Sequence, residues 1–111
     1  MLAVFVSVTL SAQNQAKDTK SKTETIKVLG NCDMCKTRIE KAAKAEGASG
    51  ASWDSKTKLL TLNYDPSKTS IDAIAKKEAS VGHDTEKYKA EDKVYNALPG
   101  CCKYDRTAQN K

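Results

Sequence analysis

The chain has 111 residues, 39% of them hydrophobic, with Trp53, Phe5 and four tyrosines as its only aromatics. That is enough for one small domain with a thin core of Val, Ile, Leu and Ala and modest stability, and it excludes a large multi-domain enzyme. Nineteen basic side chains against fourteen acidic ones give a net charge of +5, but the lysines are dispersed and no basic stripe with interleaved aromatics exists, so no nucleic-acid partner is expected and the charge suits steering toward an acidic protein surface.

Residues 1–12 are expected to be a secretion signal. Leu2 to Leu10 is an apolar run ending at Ser11-Ala12, far short of the roughly 20 apolar residues that span a bilayer but suited to the hydrophobic segment of an export signal. After processing no stable membrane span is expected, and the mature chain is expected to be periplasmic or secreted, in a bacterial envelope. Residues 13–22 are polar and read as a flexible leader.

The folded part begins at Thr23. Thr23 to Leu29 alternates Ile26 and Val28 with Thr25 and Lys27, the period of a half-buried strand, and Gly30 permits a turn. From Met34 to Glu46 helix formers dominate, with Cys35, Ile39, Ala42 and Ala43 on one face and Gly47 as the stop. Ala48 to Trp53 is a weak strand, Asp54 to Thr57 a hairpin loop, and Lys58 to Tyr64 a good strand presenting Leu60, Leu62 and Tyr64 on one side. Thr69 and Asp72 have the spacing of a capping box for a second helix from Ser70 to Val81, which buries Ile71, Ile74 and Ala75 and stops at Gly82. His83 to Tyr88 is expected as a short polar edge strand, and Ala90 to Leu98 as a helix closed by Pro99-Gly100. The order predicts an α+β fold, a ferredoxin-like βαββαβ sandwich over residues 23–88, followed at 89–111 by a helical C-terminal extension with a Cys-Cys tail.

Chemistry concentrates at Cys32-Asp33-Met34-Cys35, between the first strand and the first helix. Thiols at a helix N-terminus face unpaired N–H groups and the positive end of the helix dipole, which favours the thiolate. Two such thiolates make a site for a soft metal ion, or a dithiol that can be oxidised. Cys101 and Cys102 form a second pair. Adjacent Cα atoms lie about 3.8 Å apart, below the usual disulfide span of roughly 4.4–6.8 Å, so a bridge between them is strained while a crossed pairing with the first cysteines stays open.

Val28-Leu29-Gly30, Cys32-Asp33-Met34-Cys35, Ile39-Glu40 and Gly82 together resemble the heavy-metal-associated domain family, which includes copper chaperones, metal-binding domains of copper-transporting ATPases and periplasmic mercury-binding proteins. The resemblance covers roughly Thr23 to Tyr88. It implies a metal held by Cys32 and Cys35, Cu(I) first and Zn, Cd or Hg as alternatives, and passed to a partner such as an acidic domain of a metal transporter or efflux system. The ending resembles bacterial members with a Cys-Cys pair on a C-terminal extension. Cys101 and Cys102 are then candidate auxiliary ligands, alongside a disulfide, a second metal site or reactive transfer thiols. His83, after Gly82, is a further candidate auxiliary ligand, since imidazole suits Cu and Zn.

The expected role is soft-metal binding and transfer by a metallochaperone-like protein that is not an enzyme. A thiol-disulfide redox module and a structural zinc domain remain alternatives. Lys36, Lys41 and Lys44 are either a solvated face or a docking face for an acidic partner, and Lys36 and Arg38 are placed to offset thiolate charge. Trp53 is expected to fill the edge of the core, and Tyr88, Tyr95 and Tyr104 to have no special role.

Overall fold

The computed structural model describes residues 21–106; the expected signal and nearly all of the leader lie outside them. Strand β1 (Lys22–Lys27) leads to helix α1 (Asp33–Ala45), the hairpin β2 (Gly50–Trp53) and β3 (Leu59–Tyr64), and helix α2 (Ile71–Ser80). A short helix α3 (Asp92–Asn96) and a 3-10 turn (Gly100–Cys102) follow. The three strands form one antiparallel sheet in the order β1-β3-β2, registered by Ile26 opposite Leu60 and Trp53 opposite the same Leu60. Along β3 the burial alternates, with Leu60, Leu62 and Tyr64 inward, as the two-residue period requires. Helices α1 and α2 cover that face with Ile39, Ala42 and Ala43 from α1 and Ile74 and Ala75 from α2. This is the expected ferredoxin-like α+β sandwich.

Three local expectations are corrected. The edge strand at His83–Tyr88 is reduced to one bridge, Val28 opposite Thr85. Thr85 turns its N–H to the Tyr88 carbonyl at 2.7 Å, and its hydroxyl accepts from the Tyr88 and Lys87 amides at 3.0 and 3.2 Å. That turn bends the chain away from β1 before a ladder can extend. Nor is the segment a polar rim, because His83, Asp84 and Thr85 are all buried. Finally, the cap of α2 is Ser70 and not Thr69: the Ser70 hydroxyl accepts from the Ala73 amide at 3.0 Å, while Asp72 accepts from the Tyr88 hydroxyl at 2.8 Å.

Two glycines are required by the backbone. Gly47 and Gly82 end the two long helices at φ of +113° and +108°, a region that side-chain-bearing residues rarely adopt. Gly82 also lies against Leu98, whose Cδ2 would stand 2.9 Å from an added Cβ. The C-terminal extension therefore packs directly on the domain.

Candidate metal centre

The loop between β1 and α1 is built on the core. Leu29 donates its amide to the Asp84 carbonyl at 2.9 Å, and the Trp53 indole Nε1 donates to the Val28 carbonyl at 2.9 Å. Trp53 is almost fully buried, and its ring lies beneath Gly30, where a Cβ would stand 3.1 Å from both the ring and the Cys35 Cβ. Lys58 reaches over the same ring and donates to the Gly30 carbonyl at 2.7 Å. A further clamp joins α1 to β2. Glu40 pairs with Lys36 at 2.6 Å and accepts the Trp53 amide at 2.9 Å, while Lys36 also donates to the Trp53 carbonyl at 3.1 Å. Lys36 is thus committed to the scaffold and does not face the sulfurs.

Cys32 is the N-cap of α1, and its carbonyl accepts from the Cys35 and Lys36 amides at 2.9 and 3.1 Å. Cys35 lies one turn in, fully buried, with its sulfur 3.7 Å from that of Cys32. Four free cysteines meet here. The Cys102 sulfur is 3.4 Å and the Cys101 sulfur 3.0 Å from Cys32. The sulfurs of Cys32, Cys35 and Cys102 all lie within 4.8 Å of one another, an arrangement able to hold a metal ion. Cys101 stays exposed and approaches the Met34 thioether at 3.6 Å, and Met34 is itself half exposed.

The four thiols are not equivalent. The sulfur–sulfur hydrogen bond with Cys101, opposed by burial and helped by the Cys35 amide, brings the Cys32 pKa down to about 6. The positive end of the helix adds its field at Cys32, the N-cap. Burial pushes the Cys35 thiol up to about 12, and the hydrogen bond with Cys32 raises Cys101 to about 11. At neutral pH the cluster holds a thiolate at Cys32 beside protonated Cys35 and Cys101, where thiolates at both Cys32 and Cys35 were expected. Arg38 directs Nη1 to the Cys102 sulfur at 3.5 Å, so it, and not Lys36, is the cation that faces sulfur.

His83 lies outside the group of three sulfurs. Its ring is fully buried, Nδ1 is 2.9 Å from the Leu29 carbonyl, and the ring stacks on Tyr104 at 5.7 Å. Burial lowers its pKa to about 4, so it is neutral at pH 7. It holds the cysteine loop from below.

The residues that hold the second cysteine pair were not anticipated. Tyr104, nearly fully buried, donates its hydroxyl to the Gly82 carbonyl at 2.7 Å and accepts from the Asp84 amide at 2.9 Å. Tyr95 donates to the Tyr104 carbonyl at 2.6 Å and meets its ring edge-on. Arg106 forks onto the fully buried Asp84 carboxylate at 2.8 and 2.9 Å, reaches the Ala90 carbonyl and Asp92, and lies over the Tyr95 ring. Asp84 also accepts the Ala90 amide at 2.7 Å. The only hint in the sequence was Asp84 beside His83, read as an exposed edge.

No family model matches the chain. A copper-exporting P-type ATPase of Staphylococcus saprophyticus is 35% identical over 68 residues, which is 60% of this chain and 9% of the ATPase, so the chain spans about a tenth of that relative. Oxidized MerP from Ralstonia metallidurans superposes with a TM-score of 0.54 at 30% identity over 59% of this chain and 93% of MerP. A CopZ metallochaperone superposes with a TM-score of 0.55 at 24% identity over 58% of this chain and 98% of CopZ, a likeness of fold alone. With nearly all of MerP matched on one fold, and a Cys-x-x-Cys pair opening the first helix, the chain belongs to the heavy-metal-associated domain family.

Proposed function

We propose that this protein binds a soft metal ion through Cys32 and Cys35, Cu(I) before Zn, Cd or Hg, and passes it to a metal-transporter domain. The observation that carries this reading is the pairing of a partly exposed Cys32 thiolate with a buried Cys35 thiol 3.7 Å away on a prebuilt helix N-terminus. Sulfur donors discriminate against Mg and Ca. An ion brought by a donor bonds to the partly exposed Cys32 thiolate before it reaches the buried Cys35. Cys35 then gives up its proton as its sulfur joins, and release reverses these exchanges without net chemistry on the protein. That role is binding and transfer, not catalysis. The copper-exporting ATPase relative supports the choice of a soft ion.

The groove between α1 and α2 is lined by Met34 of the Cys-x-x-Cys motif and by Arg38, Lys41, Lys77 and Val81. Its basic rim suits an acidic transporter domain. Transfer is proposed to take place outside the cytoplasm, on the strength of the apolar run at residues 2–10, and the mass of the exported chain tests this: a retained Met1 contradicts it. Among the described residues no helix is long and apolar enough to cross a membrane.

Titrating the fully reduced protein with Cu(I), Zn and Hg(II), while following stoichiometry and circular dichroism, tests the function. The expected result is one tightly bound soft ion on a chain that is folded without it. Unfolding on chelation indicates a structural zinc site, and turnover with a dithiol partner indicates a redox module.

A further inference from the structure

The second cysteine pair is held in place by more than a loose tail needs. Residues 98–106 run from Leu98, packed on Gly82, to Arg106, locked on buried Asp84. Between them Cys102 is fully buried against the Cys32–Cys35 pair, and Tyr104 is pinned at both its hydroxyl and its carbonyl. An ion pair onto a fully buried carboxylate and a buried tyrosine fix this segment, and what they fix in space is the Cys102 sulfur.

The sulfur spacing has a consequence for coordination. With a metal–sulfur bond of about 2.3 Å, a linear pair places its sulfurs about 4.6 Å apart and a trigonal set about 4.0 Å. Here the separations are 3.7 Å for Cys32–Cys35 and 3.4 Å for Cys32–Cys102, with all three sulfurs inside 4.8 Å. Opening by a few tenths of an ångström reaches the trigonal set, whereas a linear pair requires Cys32 and Cys35 to separate by nearly 1 Å more than observed. A three-thiolate site also carries more negative charge than a two-thiolate one, and Arg38 already faces Cys102 at 3.5 Å.

We propose that the C-terminal strap is the third arm of the metal centre: Cys102 completes a three-thiolate site with Cys32 and Cys35, and the exposed Cys101, beside Met34, is the first sulfur an arriving ion meets. This deepens the proposed function and rests on it. The ion keeps its oxidation state throughout. Carried in by donor thiolates, it exchanges them for Cys101 and Cys32, then exchanges Cys101 for Cys35 and Cys102. Each incoming thiol releases one proton, taken up by a departing thiolate or by buffer. The strap thereby makes the site retain its ion more strongly than a two-sulfur loop, and release requires a partner that competes with three sulfurs.

X-ray absorption on the full chain loaded with Cu(I) alone, and separately with Hg(II) alone, counts the bound sulfurs directly. The expected count is three in the parent and two in both Cys102→Ser and Cys102→Ala, with affinity lowered at least tenfold in each. Uptake from Cu(I)–glutathione in stopped flow is expected to slow at least tenfold in Cys101→Ser. A parent count of two overturns the proposal whether or not the Cys102 variants fold, and leaves the Cys32–Cys35 function standing. An unchanged uptake rate in Cys101→Ser overturns the role of Cys101. A parent that binds neither ion overturns the proposed function itself.

Discussion

Two arms bring sulfur to the same point by different physics. The loop before α1 is tied by hydrogen bonds to its backbone, but its cysteine end is seated by apolar contact: Gly30 lies on the Trp53 ring, and Cys35 sits fully buried at the head of the core-facing stripe of α1. The strap is positioned by a buried polar network of Asp84, Arg106, Tyr104 and Tyr95. Apolar contact is non-directional and degrades gradually when volume changes. A buried ion pair is directional, and losing one partner strands the other. The first arm should therefore tolerate disturbance that releases the second outright.

Removing the carboxylate sharpens that contrast most. Asp84→Ala leaves Arg106 without its partner and the Ala90 amide without its acceptor, and is expected to cost about 3–5 kcal/mol. Amide exchange should show protection lost first across residues 98–106, with α1 protected. Equal loss in both arms would mean that they are not separately held.

The next effect concerns Glu78, a carboxyl fully buried on α2 with neither oxygen partnered and a pKa pushed by burial up to about 9. The unfolded chain loses this proton near the ordinary glutamate value and the folded chain keeps it. Stability from this group is thus complete below that value, falls with rising pH, and levels off above about 9. Glu78→Gln is expected to raise stability at pH 7 by up to about 3 kcal/mol and to flatten its decline toward pH 9. His83 acts with the opposite sign. Its folded pKa of about 4 means that the unfolded state takes the proton first, so stability is lost as pH falls from the ordinary histidine value to about 4. Urea midpoints from pH 4 to pH 9 separate the two groups, and a parallel decline in Glu78→Gln and the parent would contradict the assignment for Glu78.

On the apolar arm, Gly30→Ala places a methyl 3.1 Å from the Cys35 Cβ and the Trp53 ring and is expected to cost about 1–3 kcal/mol, through a small shift and not release of the loop. The smallest effect in energy is visible in reactivity. Cys101→Ala removes the hydrogen-bond partner that chiefly lowers the Cys32 pKa to about 6, so the midpoint of Cys32 alkylation should move upward. A midpoint that stays put would remove Cys101 from the immediate surroundings of Cys32.

The same contrast explains what could be read from the sequence. The periods of Ile26–Val28, Leu60–Leu62–Tyr64 and Cys35–Ile39–Ala42 fixed strands, helix and sandwich, because apolar faces leave a local repeat. The Cys-x-x-Cys loop was legible for the same reason, lying where a strand period becomes a helix period. Nothing local marks Asp84 and Arg106 as partners twenty-two residues apart, and a run such as His83-Asp84-Thr85 looks exposed until the groups that satisfy it are known. Cys102 was therefore visible as a thiol, but its place beside Cys32 depends on contacts that no periodicity encodes.

The most direct measurement is a Cu(I) competition titration of the reduced chain against a chromophoric chelator at pH 7, for the parent and for Cys32→Ser. The account predicts one Cu(I) per parent chain, and an affinity loss in Cys32→Ser exceeding the roughly 100-fold typical of removing a group that only supports a ligand. A parent that leaves the chelator its copper, or a variant that binds as tightly as the parent, would contradict it.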